Sequence, residues 1–191
     1  MGEFAIQTAG THNALNALSA IAVCNELGLS REAIKKGLLT FKGSKRRFEY
    51  IGENRSGFKV YDDYAHHPTE IKSSLESFKK IYPKSKIVCI FQPHMTSRTK
   101  KLFEQFSSSF IGINQVIITD IYASLREEAD PFFGSKELTN EVNKISGNAI
   151  FLSKPEDVVE YVDKNRPGRN SILITMGAGD IYKISKQLVN L

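Results

Sequence analysis

The sequence predicts an α/β fold built on a mostly parallel sheet with helices on both faces. Two observations carry this prediction. From residue 58 onward, apolar runs of four to six residues alternate with segments whose apolar residues recur at helical spacing, and this alternation is typical of a parallel sheet buried on both sides. The chain has 191 residues and is 41% hydrophobic, so it is large enough to bury a core of ordinary domain size.

The first forty residues depart from this alternation, because they predict two helices in succession. Apolar residues at 15, 18, 21 and 22 give the segment from Asn13 to Leu27 a helical periodicity. Ser30 is a suitable N-cap for a shorter second helix, REAIKKGLL. The pattern changes after FKGSK, so we divide the chain into a two-helix segment, residues 1–46, and a sheet domain, residues 47–191.

The sheet domain is predicted to open with an edge hairpin. The segments RFEYIG and FKVYDDY have the composition of two short strands around the turn ENRSG. Helices and strands then alternate to the end of the chain. In order, they are a helix around Ile71, Leu75 and Phe78, the strand KIVCIF, a helix around Leu102, Phe103, Phe106 and Phe110, the strand QVIIT, the helix SKELTNEVNKI, the strand AIFL, the helix PEDVVEYVDKN, the strand SILIT, and a helix carrying Ile181, Ile184 and Leu188.

Composition argues against several classes of protein. The 26 basic and 21 acidic residues leave a net charge of +5 that is spread along the chain, which favours anionic small molecules over nucleic acid as ligands. No apolar run approaches the roughly 20 residues of a membrane span, and the N-terminus lacks a signal-peptide pattern. Cys24 and Cys89 lie in apolar runs without metal-binding spacing. We expect a cytoplasmic protein with neither membrane nor nucleic acid as a partner.

Three loops carry the polar side chains best suited to chemistry. YDDYAHHPTE, QPHMTSRT and MGAGD each follow a predicted strand, and ligands of open α/β sheets bind beyond the carboxyl ends of the strands. We expect these loops to bring together Asp63, His66, His67, His94 and Arg98. Adjacent histidines do not easily ligate one ion, and no third ligand stands at a suitable spacing, so no metal site is predicted. A set of ordinary surface-loop residues is the alternative.

Two further motifs are ambiguous when taken alone. GAGD is shorter than the dinucleotide-binding fingerprint and opens the last helix, so a glycine turn explains it better than a nicotinamide site. Asn13 and Asn16 lie three residues apart on one helix face. Their amides suit the edge of a base or a ribose, although helix capping explains the polar residues at this helix start equally simply.

In this order, the motifs resemble the C-terminal part of the Mur ligase family. They are GTHNALNALSAI, GSKRRFEYIG, YDDYAHHPTEI, FQPHMTSRT and GAGDI, and the resemblance extends from about Gly10 to Ile181. The paired histidines and the FQPH loop are most similar to the members that join L-alanine to UDP-N-acetylmuramate. A member that recycles a tripeptide onto the same sugar nucleotide is one alternative, and a nucleotide-binding module without catalysis is another.

The resemblance implies a three-domain enzyme that uses ATP and Mg²⁺ and forms an acyl-phosphate, with a Rossmann-like C-terminal domain that swings in to complete the site. The sequence contains no glycine-rich stretch followed by Lys and Ser or Thr, so the phosphate-binding loop of the family is missing, as is its UDP-sugar domain. We expect residues 1–46 to be the remnant of the central ATPase-like domain. The fragment is then inactive by itself, and the metal ligands lie mainly in the missing N-terminal and central domains.

The resemblance also implies nucleotide-binding roles for five residues. His12, Asn13 and Asn16 occupy the adenine-reading position of the family. Arg47 matches an arginine that contacts the ATP phosphates, and Asp63 matches an aspartate near the ribose and the junction between domains. A guanidinium fork is well suited to phosphate oxygens.

Four rim residues match the loops that approach the amino acid and the acyl-phosphate, namely Tyr64, His66, His94 and Arg98. We expect Arg98 to hold the L-alanine carboxylate and a neutral histidine to accept a proton from the attacking amine. His67 is expected to hold its loop in place, ahead of a helix that begins at Pro68.

Overall fold

The computed structural model describes residues 2–8, 10–122 and 133–191, except for the side chains of Thr11 and His12. The helices are α1 (Thr11–Glu26), α2 (Arg31–Thr40), α3 (Pro68–Ile81), α4 (Thr96–Lys101), α5 (Phe103–Ser107), α6 (Ser135–Ser146), α7 (Pro155–Lys164) and α8 (Ser185–Asn190). The strands are β1 (Glu49–Glu53), β2 (Lys59–Asp63), β3 (Lys86–Phe91), β4 (Gln115–Ile118), β5 (Ala149–Phe151) and β6 (Ser171–Met176). A 3-10 turn, Ile181–Ile184, precedes α8.

The six strands form one sheet in the order β1-β2-β6-β3-β4-β5. β1 is antiparallel to β2, whereas the other neighbouring strands are parallel. The predicted fold class, a mostly parallel α/β sheet with an edge hairpin, is therefore confirmed.

Alternate residues of the strands face opposite sides of the sheet, and each side has its own core. On β3, Ile87, Cys89 and Phe91 pack on the side covered by α3, α5 and α6. Val88 and Ile90 pack on the other side, beneath α7, the 3-10 turn and α8. The connections from β2 to β3, β3 to β4 and β4 to β5 all move along the sheet toward β5, whereas the connection from β5 to β6 moves back. Because parallel connections are right-handed, this reversal places α7 on the face opposite to α3, α5 and α6.

Two predicted helices differ from their observed form. The helix expected around Leu102 to Phe110 is divided into α4 and α5, because Leu102 leaves helical geometry with φ −111° and ψ 24°. The segment TSRTKK of α4 has no apolar periodicity, so its helical state was not predictable from that signal. The last helix begins as the 3-10 turn and becomes α-helical only from Ser185.

The two N-terminal helices match their predicted positions but expose their apolar faces. Ser30 caps α2 through a hydrogen bond that its side chain accepts from the Ala33 N–H. Large apolar side chains nevertheless remain exposed in this part of the chain, including Leu15 (60%), Leu18 (57%) and Phe41 (51%). Across the described ranges, no helix combines the length and the apolar character that a membrane span needs.

Candidate functional site

The carboxyl ends of the parallel strands lie at one edge of the sheet. Asp63 of β2 and Phe91 of β3 both pair with Met176 of β6, and Phe91 also pairs with Ile118 of β4. The loops after β2, β3 and β6 therefore start side by side, as the sequence predicts. We call this edge and its loops the carboxyl rim.

The loop after β6 contacts both the end of β2 and the loop after β3. The Gly177 N–H donates to the Asp63 carbonyl oxygen at 3.1 Å. Gly177 has φ +142°, and a Cβ atom placed on it would lie 2.5 Å from the Gln92 carbonyl oxygen, so a larger residue does not fit there. The Gln92 side chain donates to Asp180 Oδ1 at 3.1 Å and accepts from the Ile181 N–H at 3.0 Å.

His94 lies beside the loop that follows β4. Its ring is nearly parallel to that of Tyr122, with centroids 5.7 Å apart and planes inclined by 13°. The Tyr122 N–H donates to the Pro93 carbonyl oxygen at 2.8 Å, which joins the two loops. The structure thus places His94 on the carboxyl rim.

Arg46 connects strand β2 to the loop after β6. Its Nε donates to Asp62 Oδ2 at 3.0 Å, its Nη1 to the Gly179 carbonyl at 3.3 Å, and its Nη2 to the Gly177 carbonyl at 2.6 Å. Asp62 is 1% exposed. Burial raises the pKa of Asp62, and the hydrogen bonds from Thr175 and Arg46 partly offset that rise. This ion pair was not predicted from the sequence, because the family resemblance points to the second residue of each doublet, Arg47 of RR and Asp63 of DD.

Tyr64 extends the same contacts toward the predicted substrate loop. The Arg46 guanidinium carbon lies 4.9 Å from the centre of the Tyr64 ring and 4.3 Å from that of Tyr182. Tyr64 and His66 meet edge to face, with ring centroids 5.1 Å apart. Tyr64 and His66 are therefore in direct contact, and their contact with a substrate stays a prediction.

His66 is held in a defined tautomer. Its Nδ1 lies 3.0 Å from the Tyr64 carbonyl oxygen, and because a carbonyl oxygen only accepts, Nδ1 must carry the hydrogen. In a neutral ring the lone pair is then on Nε2, the nitrogen that is available to accept a proton from a substrate amine.

His67 serves the loop, as the sequence analysis expects. It is the N-cap of α3, where its Nδ1 accepts from the Thr69 N–H at 3.3 Å, and Pro68 is the first helical residue. Glu70 closes a capping box, since its Oε2 accepts from the N–H groups of His66 at 3.1 Å and His67 at 3.2 Å. The His66 N–H is therefore occupied by the cap, which fixes the loop backbone.

The pKa of Glu70 is held below its ordinary value. Burial alone would raise this pKa, but the backbone hydrogen bonds that Glu70 accepts from His66 and His67, together with its electrostatic attraction to the His66 ring and the Arg47 guanidinium, outweigh burial. Arg47, predicted to contact nucleotide, is therefore close enough for its charge to act on the His66 loop.

Replacing Glu70 with glutamine tests this cap. Because the folded pKa is lowered, the carboxylate stabilises the fold above its unfolded pKa, near 4.5, and this contribution is lost as the pH falls through the folded pKa. Glu70→Gln is expected to lower the free energy of unfolding by about 0.5 to 1 kcal/mol at pH 7 and by less at pH 3. Urea denaturation at both pH values measures this. Glu76→Gln, exposed on the same helix, is the control, and an equal loss at both pH values would contradict the assignment.

Asp63 is buried and engaged by the protein. Its Oδ2 accepts from the Phe48 N–H at 3.2 Å and the Ser74 hydroxyl at 2.9 Å, and its Oδ1 accepts from the Ala65 N–H at 2.9 Å. With 6% of its surface exposed, it fixes the backbone of the rim loop at Ala65 and that of the segment before β1 at Phe48. The contact with a ribose stays a prediction.

Asn13, Asn16 and Arg47, three of the residues predicted to bind nucleotide, line a groove between α1, α2 and the segment leading to β1. The groove has a volume of about 730 Å³ and is lined by Asn13, Asn16, Ser44 and Arg47, among others. Arg47 is exposed. His12 lies in the first turn of α1, but its side chain is outside the described residues. The structure thus brings together three of the five residues predicted to bind nucleotide.

Arg98 lies within α4 and turns back toward the start of that helix. Its Nη2 is 3.8 Å from Met95 Sδ. Its Nη1 is buried and has no hydrogen-bond acceptor among the residues that the structure describes. Met95 itself has φ +71°, an uncommon conformation for a side-chain-bearing residue, at the point where the FQPH loop enters the helix.

Both cysteines, Cys24 and Cys89, are free thiols. Within the described part of the chain, no three His, Cys, Asp or Glu side chains are grouped closely enough to hold a metal ion. Cys89 is buried in the core. Cys24 is half-buried and lines the groove with Asn13 and Arg47.

Comparison with protein families identifies relatives of this architecture. A family described as "Mur ligase, glutamate ligase domain" matches residues 46–179. The UDP-N-acetylmuramate–L-alanine ligase of Desulfitobacterium hafniense is 42% identical over 190 residues, which are 99% of this chain and 42% of that protein. The ligase of the same name from Clostridium acetobutylicum is 46% identical over 181 residues, which are 95% of this chain and 39% of that protein.

Solved structures show the same likeness. The UDP-N-acetylmuramate-alanine ligase of Thermotoga maritima superposes with a TM-score of 0.82 at 28% identity, covering 99% of this chain and 39% of that one. A murein peptide ligase from Psychrobacter arcticus has a TM-score of 0.71 at 24% identity and shares the fold, with coverage of 97% and 38%. The chain therefore spans about two fifths of the length of these relatives.

Proposed function

Because the chain belongs to the Mur ligase family, we propose that it is the C-terminal part of a longer ligase that joins L-alanine to UDP-N-acetylmuramate with ATP. The observation that carries this proposal is the match of nearly the whole chain to ligases named for that reaction, at 42 and 46% identity. The reaction belongs to peptidoglycan precursor synthesis.

The exposed apolar faces of α1 and α2 support the idea of a longer protein. Leu15, Leu18, Leu39 and Phe41 are each about half exposed or more, and a stable helix normally buries its apolar stripe against another element. In the full ligase, we expect the remainder of the central domain to cover these faces. This domain division, residues 1–46 and 47–191, is part of the proposal.

The residues that line the groove are chemically suited to bind a nucleotide. The amides of Asn13 and Asn16 carry both donors and acceptors, which suits an adenine edge, and His12 occupies the same helix turn. The Arg47 guanidinium suits phosphate oxygens. Asp63 contributes by fixing the Phe48 and Ala65 backbones next to the proposed ribose position.

The rim side would hold the amino acid. In the proposed reaction, phosphoryl transfer from ATP converts the sugar carboxylate to an acyl-phosphate, and the L-alanine amine attacks its carbonyl carbon while phosphate leaves. Arg98 pairs with the alanine carboxylate, and His66 Nε2 accepts the amine proton, with Tyr64 and His94 lining the approach. We assign the ion that accompanies ATP mainly to the remainder of the ligase, where the family resemblance places its ligands.

Comparing this chain with the full reading frame that contains it tests the proposal. Given ATP, Mg²⁺, UDP-N-acetylmuramate and L-alanine, the full-length protein should release phosphate, whereas residues 1–191 alone should not. The chain alone should bind ATP only weakly, with a Kd on the order of millimolar, because most phosphate contacts lie elsewhere. Turnover by the chain alone above a heat-killed control would contradict the idea that the chain is only part of the catalytic unit. Micromolar ATP binding in calorimetry would favour a nucleotide-binding module without catalysis.

A further inference from the structure

The junction between the two-helix segment and the sheet domain is a tight bend at residues 46–48. Arg46 and Phe48 have φ values of +59° and +53°, a conformation that persists in non-glycine residues only where surrounding contacts hold it. Phe48 is held by its N–H, which donates to Asp63 Oδ2 at 3.2 Å, and by its ring, which stacks on Phe78 with centroids 3.7 Å apart. Arg47 lies between the two held residues.

Arg46 holds the other side of the bend. Its N–H donates to Glu49 Oε2 at 2.6 Å, and its carbonyl oxygen accepts from the Tyr64 N–H at 2.5 Å. Its side chain makes the three hydrogen bonds to Asp62, Gly177 and Gly179 described above. One residue thus joins β1, β2 and two loops of the carboxyl rim.

We propose that Arg46 is a positioning residue that aims Arg47 at the nucleotide phosphates and holds Tyr64 on the substrate side of the rim. The inference rests on the proposed function, because that function supplies the roles of Arg47 and Tyr64. Arg47 follows Arg46 directly in the chain and is exposed at the groove, so any change in the Arg46 backbone conformation redirects the Arg47 side chain.

The contacts require a guanidinium and cannot all be made by an ammonium. Three nitrogens donate to three separate acceptors, and the planar group also lies 4.9 and 4.3 Å from the ring centres of Tyr64 and Tyr182. A lysine supplies a point charge on a flexible stem and cannot reproduce the planar fork. Arg46→Lys is therefore expected to keep a charge beside Asp62 and to lose the geometry that fixes the bend.

A double-mutant cycle in the full-length ligase tests the proposal, with the KM for ATP and the Tm measured for Arg46→Lys, Arg47→Ala and the double variant. Arg47→Ala should raise the KM for ATP roughly tenfold, as expected for one lost charge-assisted contact. Arg46→Lys should raise it by a similar factor. The double variant should be no worse than the poorer single variant, because both changes remove the same phosphate contact.

The KM values and the Tm distinguish a failure of the Arg46 proposal from a failure of the nucleotide assignment. If Arg46→Lys lowers the Tm but leaves the KM for ATP within about twofold of wild type, or if the two effects multiply in the double variant, Arg46 is merely structural and the proposal is overturned. If Arg47→Ala itself leaves the KM for ATP unchanged, the nucleotide assignment fails first, and the proposal fails with it. Arg55→Lys, on the exposed turn between β1 and β2, is the matched control and should match wild type.

A second variant keeps the test decisive if Arg46→Lys does not fold. Tyr182 is 42% exposed, so Tyr182→Leu should fold while removing one aromatic face beside the guanidinium. It is expected to raise the KM for ATP about two- to fivefold, the range of an exposed cation–π contact, without adding to the effect of Arg47→Ala. A wild-type KM in this variant, or an effect that multiplies with that of Arg47→Ala, would count against the proposal.

Discussion

Gly177→Ala is expected to lower the free energy of unfolding by about 3 kcal/mol or more, because it combines backbone strain with a clash against backbone. Gly177 has φ +142°, and the new Cβ would lie 2.5 Å from the Gln92 carbonyl oxygen. Neither atom can move without separating the loop after β6 from the loop after β3. Urea denaturation of residues 1–191 measures the loss.

The control for this substitution lies at the other end of the same strand. Gly168 precedes β6, and a Cβ placed on it would meet nothing within 4 Å, so Gly168→Ala should leave stability close to wild type. If Gly177→Ala costs no more than Gly168→Ala, the tight contact between the two loops is not a feature of the protein in solution.

Arg98→Ala is expected to raise the KM for L-alanine in the full-length ligase by about ten- to a hundredfold, with a much smaller change in the KM for ATP. This corresponds to the loss of one paired, charge-assisted contact of about 1.5 to 3 kcal/mol. Within the described residues, Nη1 of Arg98 is buried without a hydrogen-bond acceptor, and its pairing with the alanine carboxylate is the role that the proposed function gives it. Arg98→Lys should recover only part of the loss, since a point charge lacks the planar fork.

The same variant separates a binding role from a structural one. Arg98 lies in α4 and contacts Met95, so a role limited to supporting this helix would lower the Tm and leave both KM values near wild type. Lys101→Ala, an exposed residue of the same helix, controls for lost positive charge. Equal increases in the KM for ATP and for L-alanine would contradict both roles.

Local signals in the sequence were sufficient for most of the fold. Alternation of apolar strands with amphipathic helices predicted the parallel sheet, and Ser30 and Pro68 marked the starts of α2 and α3 correctly. The helix α4 escaped prediction because its residues are polar and contact the core through few side chains. Periodicity also could not show that the apolar faces of α1 and α2 remain exposed, since it reports which face is apolar and not what covers it.

The position of the carboxyl rim was predictable from the sequence, but the pairing of individual side chains within it was not. The strand ends predicted that the loops lie on one edge. The sequence did not show that Arg46, rather than Arg47, pairs with Asp62. The two positive φ values at Arg46 and Phe48 are set by tertiary contacts, and they decide that Arg46 pairs with Asp62 while Arg47 faces the groove. The hydrogen bonds of the Gln92 side chain likewise depend on the loop after β6, which is about ninety residues away in the chain.

The most direct test of the proposed activity is to supply the full-length protein with ATP, Mg²⁺, UDP-N-acetylmuramate and isotopically labelled L-alanine, and to measure label in the sugar nucleotide together with ADP. The proposal predicts ATP-dependent transfer of L-alanine with ADP released in equal amount, and loss of transfer at low L-alanine concentration in Arg98→Ala. Preferential transfer of a tripeptide over L-alanine, or no transfer of either by a folded full-length protein, would contradict it.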